Sequence, residues 1–278
     1  MKSSPFHRPD RGDRGFTLIE LLVVIGIIAI LAAILIPGIV SMQNKGKLAK
    51  EINAARQLMA AYAGYAAEHD NALMPGYNKH IQDVSLPSGT ALSGEMCCRY
   101  PWRLAPYLSE RVEEIFLVND NKKVTDGKKV DTFDYQYRAS LNPALGINAY
   151  CVGGYDAGDN SGNFTTDLVK TLGGATHASN LIVFASARMK IPGQQEEEVA
   201  GNFLITPPHL WRTSWQPVYD ANSASSNFGN VAMRWEGKAV CAFLDGHAAL
   251  LNEQELRDMR HWSNTAADNN DSSYTVPR

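Results

Sequence analysis

Arg14-Gly15-Phe16-Thr17-Leu18-Ile19-Glu20 runs directly into Leu21-Leu22-Val23-Val24-Ile25-Gly26-Ile27-Ile28-Ala29-Ile30 and on through Leu31 to Pro37 and Val40. One acid stands at the head of an otherwise apolar segment, behind a basic leader that ends in glycine. Leu21 to Val40 gives about 30 Å of helix at roughly 1.5 Å per residue, enough to cross the hydrocarbon core of a bilayer. A carboxylate at the edge of such a segment is costly unless it has a partner, so Glu20 is a functional candidate. An ordinary secretory signal would need a small-residue cleavage site after its apolar run. Ile36-Pro37-Gly38-Ile39-Val40-Ser41-Met42 offers none. Lys2, Arg8, Arg11 and Arg14 before the span are balanced by Lys45, Lys47, Lys50 and Arg56 after it, so the positive-inside rule does not orient it.

This segment resembles the signature of type IV pilins and type II secretion pseudopilins. The resemblance implies cleavage after Gly15 by a prepilin peptidase, which also methylates the new amino-terminal Phe16. It further implies that Glu20 guides assembly by neutralising the amino terminus of a neighbouring subunit. Within one subunit, Glu20 could instead bond its own amino terminus, one helical turn away. The implied location is a bacterial inner membrane, crossed once, with the leader cytoplasmic and the head periplasmic or extracellular. The implied partners are the peptidase/methylase, other pilin-like subunits and an inner-membrane assembly platform.

The 278 residues divide into a leader (1–15), a transmembrane helix (16–40), an extension of that helix (41–70) and a globular pilin-like head (71–278). Leu48, Ile52, Ala55, Met59, Tyr62 and Ala66 recur at steps of four and three, an apolar stripe expected to pack on the head rather than form a free coiled coil. The helix would reach on the order of 80 Å. Gly26 and Pro37-Gly38 are its weak points, and Asn71 to Gly76 ends it. Tyr100 to Leu108 reads as a short helix entered through Pro101 that turns Trp102, Leu104 and Leu108 inward. Thr132–Arg138, Leu181–Ala185 and Ala239–Leu244 read as strands. The expected fold is α+β: a long amino-terminal helix on a small antiparallel sheet with long loops.

Gly237 to Ala248, with Asp245-Gly246-His247, resembles a processing-associated segment of one bacterial group of pilin-like proteins. So do Pro101-Trp102-Arg103 and the stretch Glu255 to Trp262. In that group a histidine lies ten residues before the Asp, where this chain has Trp235. Asp245-Gly246 after an apolar strand reads first as a hairpin turn. Neighbours at a strand end are expected to point apart, and no G-x-S-x-G or H-E-x-x-H motif accompanies them, so no enzyme is expected.

Removing residues 1–15 takes away four bases and two acids and moves the formal net charge from −3 to −5. That composition excludes a nucleic-acid surface. Asp156, Asp159, Asn160 and Asn163 could present oxygens to a calcium ion, although their spacing departs from the EF-hand template and a solvated loop is the plainer reading. No other cofactor is expected. The four cysteines allow a bridge from Cys97 or Cys98 to Cys151, while Cys241, inside an apolar strand, reads as a buried thiol. Glu196-Glu197-Glu198 reads as a solvated run. Trp211, Trp215, Tyr219 and Trp235 read as core rather than as a sugar platform. The function expected is that of a filament subunit, a type II secretion pseudopilin. The alternative is a minor tip pilin that binds an exported substrate or a surface glycan.

Overall fold

The computed structural model describes residues 17–108, 111–158, 167–190 and 201–278. The chain divides into two compact units, Met1–Gly46 and Lys47–Arg278. One helix, α1 (Leu18–Glu68), belongs to both. In the first unit its large apolar side chains are exposed from Leu18 (86%) to Met42 (75%). It is the one described helix apolar and long enough to cross a membrane. The backbone stays helical through Gly26, Pro37 and Gly38. Membrane helices tolerate an internal proline, whose lost backbone bond costs less there than a broken span would.

The second unit is built on the other half of α1. Its buried face comprises Ala54, Ala55, Leu58, Met59, Ala61, Tyr62 and Ala66, with Leu48 and Ile52 packed at the margin. The expected docking of the stripe on the head is therefore present, and residues 47–68 belong to the head rather than to a separate stalk. The helix ends as Asp70 and Asn71 take positive φ, an energetically mild conformation for these two residue types. Gly153 then packs against this corner. Its φ is +73°, and a Cβ there would lie 2.1 Å from the Met74 carbonyl oxygen. Tyr62 Oη donates to the same carbonyl at 2.8 Å.

Four antiparallel strands form the main sheet: β1 (Leu145–Ile147), β2 (Ile182–Ser186), β3 (Lys238–Phe243) and β4 (Ala248–Asn252). Their order is β4-β3-β2-β1, with Phe184 opposite Ala242 and Leu250 opposite Val240. β2 is buried along its whole length and β3 from Ala239 onward. That is why both read in the sequence as continuous apolar runs rather than alternating ones. Tyr62 of α1 meets Phe184 of β2 edge-to-face at 5.5 Å, fixing the helix across the sheet. The α+β architecture expected from the sequence is the one observed.

One expected strand is a helix. Residues 133–141 are helical, although Phe133, Tyr135 and Tyr137 alternate as a strand would. Thr132 caps the helix by accepting from the Tyr135 amide, and Arg138 reaches back one turn to Asp134 at 2.9 Å. Tyr135 and Ala139, four apart, turn inward, and Phe133 stacks on Tyr137, also four apart. The aromatic spacing satisfies both periods, and the cap decides between them. Tyr100–Leu104 is helical as expected, with Trp102, Leu104 and Leu108 buried.

Candidate functional site

The apolar helix with its lone acid begins at the first described residues. Gly15 and Phe16 lie outside the described residues. Thr17 Oγ1 accepts from the Glu20 amide at 3.2 Å, while Glu20 Oε2 accepts from the Thr17 amide at 2.9 Å and from its hydroxyl at 2.8 Å. This reciprocal arrangement is a capping box, which satisfies two donors that every helix start leaves without intrahelical partners. Thr17 and Glu20, three apart, are the residue types that motif needs. The carboxylate thus has a local partner at the boundary of an exposed apolar helix. What the arrangement can do is hold Glu20 in one rotamer beside the position that peptidase cleavage would turn into a free amine.

In the head, the hairpin expected at Asp245-Gly246 joins β3 to β4, with Gly246 at φ +96°. The two side chains flanking it do not point apart. Asp245 Oδ1 accepts from the His247 amide at 3.1 Å and lies 2.6 Å from His247 Nδ1, and the imidazole stacks on Phe243 at 4.2 Å. Residues two apart across a tight turn come back to the same side, which the strand-end argument overlooked. The contacts fasten the turn. Trp235, in the place of the upstream histidine, pairs with Lys238 through a two-residue turn at the start of β3. Arg103, in the Pro101-Trp102-Arg103 segment, donates to the carbonyls of Pro75 (2.6 Å) and Cys98 (3.0 Å), tying down the chain that leaves α1. Burial lowers its guanidinium to about 10, which leaves it charged at neutral pH.

Of the four calcium candidates, Asp156 alone is described. It accepts from the Gly158 amide at 2.9 Å and lies 3.7 Å from His80 Nε2. Asp159, Asn160 and Asn163 lie outside the described residues, as does the run Glu196–Glu198. Among the described residues no three His, Cys, Asp or Glu side chains are grouped to hold a metal. The expected bridge from Cys97 or Cys98 to Cys151 is not formed, and all four cysteines are free and buried. Cys97 sits on the short helix Glu95–Cys98 beside Val84, whereas Cys151 lies in the core near Asp167, so the two thiols occupy different neighbourhoods. Burial pushes Cys97 up to about 11 and Cys151 and Cys241 further.

Sequence reading missed a buried polar cluster. Glu51, wholly buried on α1, accepts a 2.5 Å hydrogen bond from Ser186 of β2, and its other oxygen lies 3.7 Å from Arg234 Nη1. Glu51 and Arg234 are far apart in the chain, and nothing local marks Glu51 as buried or Arg234 as its partner.

The comparisons with known proteins bear on the amino-terminal segment. Residues 10–36 match the prokaryotic N-terminal methylation motif. The type IV major pilin protein PilA of Myxococcus xanthus is 41% identical over 58 residues, 21% of this chain and 26% of that protein. The type IV wide pilus major component PilA4 of Thermus thermophilus is 60% identical over 35 residues, 13% of this chain and 27% of that protein. The chain thus spans about a quarter of the length of the curated relatives it matches. No solved structure matches. None of these matches is to a catalytic family. The methylation motif and the two pilin matches show that the amino-terminal segment of this chain is similar to that of type IV pilins, and its long exposed apolar helix agrees with that likeness.

Proposed function

We propose that this chain is a membrane-anchored structural subunit of a pilin-like filament. Prepilin peptidase cuts after Gly15 and methylates Phe16, with the leader in the cytoplasm and the head outside the inner membrane. The subunit waits in the bilayer and is then drawn by the assembly platform into a filament whose core is made of α1 segments. The observation that supports this most directly is Glu20 held by Thr17 at the head of a helix whose described large apolar side chains are exposed from Leu18 to Met42. Such a helix needs lipid or other copies of itself around it. A carboxylate and an ammonium 4 Å apart attract by about 4 kcal/mol at an effective dielectric of 20, enough to favour one register of neighbouring helices over a slipped one.

Within that class the reading is a pseudopilin of a type II secretion machine. Deleting the chain then blocks export of a secreted protein and leaves surface pili intact; loss of pili with export unchanged would assign it to a type IV pilus. The processing step is tested by intact mass and amino-terminal sequencing of the protein recovered from membranes. A mature chain that begins at methylated Phe16 is expected, and one that still carries Met1–Gly15 would overturn the reading. Assembly is tested by Glu20→Ala and Glu20→Gln. Alanine loses both the Thr17 bonds and the charge, whereas glutamine keeps an acceptor for Thr17 and loses only the charge. Both variants should be processed and fail to enter filaments. Wild-type assembly by Glu20→Gln would show that capping, not charge, is what Glu20 supplies.

A further inference from the structure

The main sheet has two edges, and the chain treats them differently. Beyond β1, the Ile147 amide donates to the Phe203 carbonyl at 2.9 Å and the Ile147 carbonyl accepts from the Ile205 amide at 3.1 Å, so that edge is covered. At the other end stands β4, last in the strand order. The Phe243 amide donates to the His247 carbonyl at 2.9 Å, which makes 243 and 247 a hydrogen-bonded pair. Bonded and non-bonded pairs alternate along an antiparallel ladder. Ala249 and Leu251 therefore bond β3, while the backbone groups of Ala248, Leu250 and Asn252 point away from it. Glu255 takes the Asn252 amide at 2.7 Å. Among the described residues nothing takes the amides and carbonyls of Ala248 and Leu250, and both residues are partly exposed.

An open edge is a template for another strand, and monomeric proteins guard it with lysine, proline or a bulge. Ala248-Ala249-Leu250-Leu251 has no charge and no proline, and its register with β3 runs unbroken. A second unguarded edge lies elsewhere in the head. Asp83–Ser85 and Ala91–Ser93 form a two-stranded hairpin. The Leu86 amide donates to the Thr90 carbonyl at 2.8 Å and the Gly94 amide to the Gln82 carbonyl at 2.7 Å. Val84 and Leu92 therefore bond each other, and Ala91 and Ser93 turn their backbone groups outward. Ala91 and Ser93 are exposed and uncharged, whereas the other strand of the hairpin carries Asp83. Each edge thus offers two residues, two apart, whose amides and carbonyls have no partner among the described residues.

We propose that β4 of one copy of this chain pairs with Ala91–Ser93 of the next, adding strand to sheet across the subunit boundary. The proposal rests on the filament reading above. Two residues facing two make up to about four hydrogen bonds, which alone amount to an affinity of roughly 1 mM at best. A free peptide would not stay on so short an edge. A copy already held alongside by its own α1 needs no more than that. Pairing β4 with β4 would close a two-fold dimer, whereas unlike edges joined head to tail repeat along a filament. Run antiparallel, the more stable sense, the strands set Ala248 opposite Ser93 and Leu250 opposite Ala91.

The test is oxidative cross-linking of the full chain in the membranes of cells that express it, where the four native thiols are buried. Hydrogen-bonded antiparallel partners lie about 5.5 Å apart at Cα, within reach of a disulfide. Leu250→Cys with Ala91→Cys on one chain should give a ladder of linked multimers, and neither single variant should. Proline at Ala248 removes an amide that β3 does not use, so Ala248→Pro in that background should keep the unfolding midpoint and lose the ladder. Ser93→Pro makes the same change on the partner strand and serves where Ala248→Pro lowers the midpoint. No ladder, or one undiminished by either proline, would overturn the proposal. So would a dimer from Leu250→Cys alone, the mark of β4 against β4. Glu20→Ala separates the two readings. Filaments without a ladder refute the edge pairing alone, while a ladder indifferent to Glu20→Ala refutes the filament reading and supports the pairing.

Discussion

Removing Arg234 should damage the head far more than neutralising the carboxylate it faces. Glu51 is fully buried, with one oxygen on Ser186 and the other, among the described residues, facing the Arg234 guanidinium at 3.7 Å. Arg234→Met would leave that charge buried without compensation and take away a donor to the Ala187 carbonyl. Breaking a buried pair from one side costs about 3–5 kcal/mol. Glu51→Gln keeps an acceptor for Ser186 and removes the charge, while Arg234, a fifth exposed, stays bonded to Ala187 and reaches water. Its cost is that of one weakened hydrogen bond, about 1 kcal/mol. The double variant should recover most of the loss, giving a coupling of about 2–3 kcal/mol. Urea unfolding of the full chain in mild detergent, followed by tryptophan fluorescence, measures this, since all five tryptophans lie in the head. If Glu51→Gln costs more than Arg234→Met, or the two are additive, then the pairing is not what compensates Glu51 and the reasoning fails.

Gly153→Ala should destabilise by about 3 kcal/mol or more, since it combines an unfavourable φ with a clash against the Met74 carbonyl; the same urea titration checks it, and a cost below about 1 kcal/mol would mean the corner yields freely. Cys97, Cys151 and Cys241 should resist iodoacetamide at pH 8 until the head is unfolded, because burial holds Cys97 near 11 and Cys151 and Cys241 higher; modification mapped by mass spectrometry tests this, and labelling of Cys151 in the folded protein would contradict it. Asp258 is held below its usual range by hydrogen bonds from Arg260. A depressed carboxyl contributes stability that is present above its unfolded value and lost as pH falls through the folded one. Asp258→Asn should therefore be less stable than wild type at neutral pH, with the gap closing below about pH 4. A gap unchanged between pH 7 and pH 3 would refute the assignment.

The sequence alone determined the elements whose signals are local. Twenty apolar residues in a row must be helical where no water can satisfy their backbone, so the span and its lone acid were legible without a fold. Asp245-Gly246 carries its turn; Thr17 and Glu20, three apart, have the spacing of a capping box, a local signal the sequence reading passed over in favour of the amino terminus. The apolar runs of β2 and β3 were legible because strands buried on both faces need no alternation. Residues 132–138 were not, because an aromatic at every second position also places aromatics four apart, and only the Thr132 cap and the packing of Tyr135 break the tie. What tertiary structure decided is every pairing across long stretches of chain. Glu51 reads as one more charge on a helix until Ser186 and Arg234 close over it, and Cys151 and Cys97 read as candidates for one bridge until the fold buries them in separate places. Trp211 is an ordinary aromatic until segment 275–278 pins its turn and sets Arg278 over its ring. Local preference acts over a few residues, while burial and charge compensation depend on which distant segments meet.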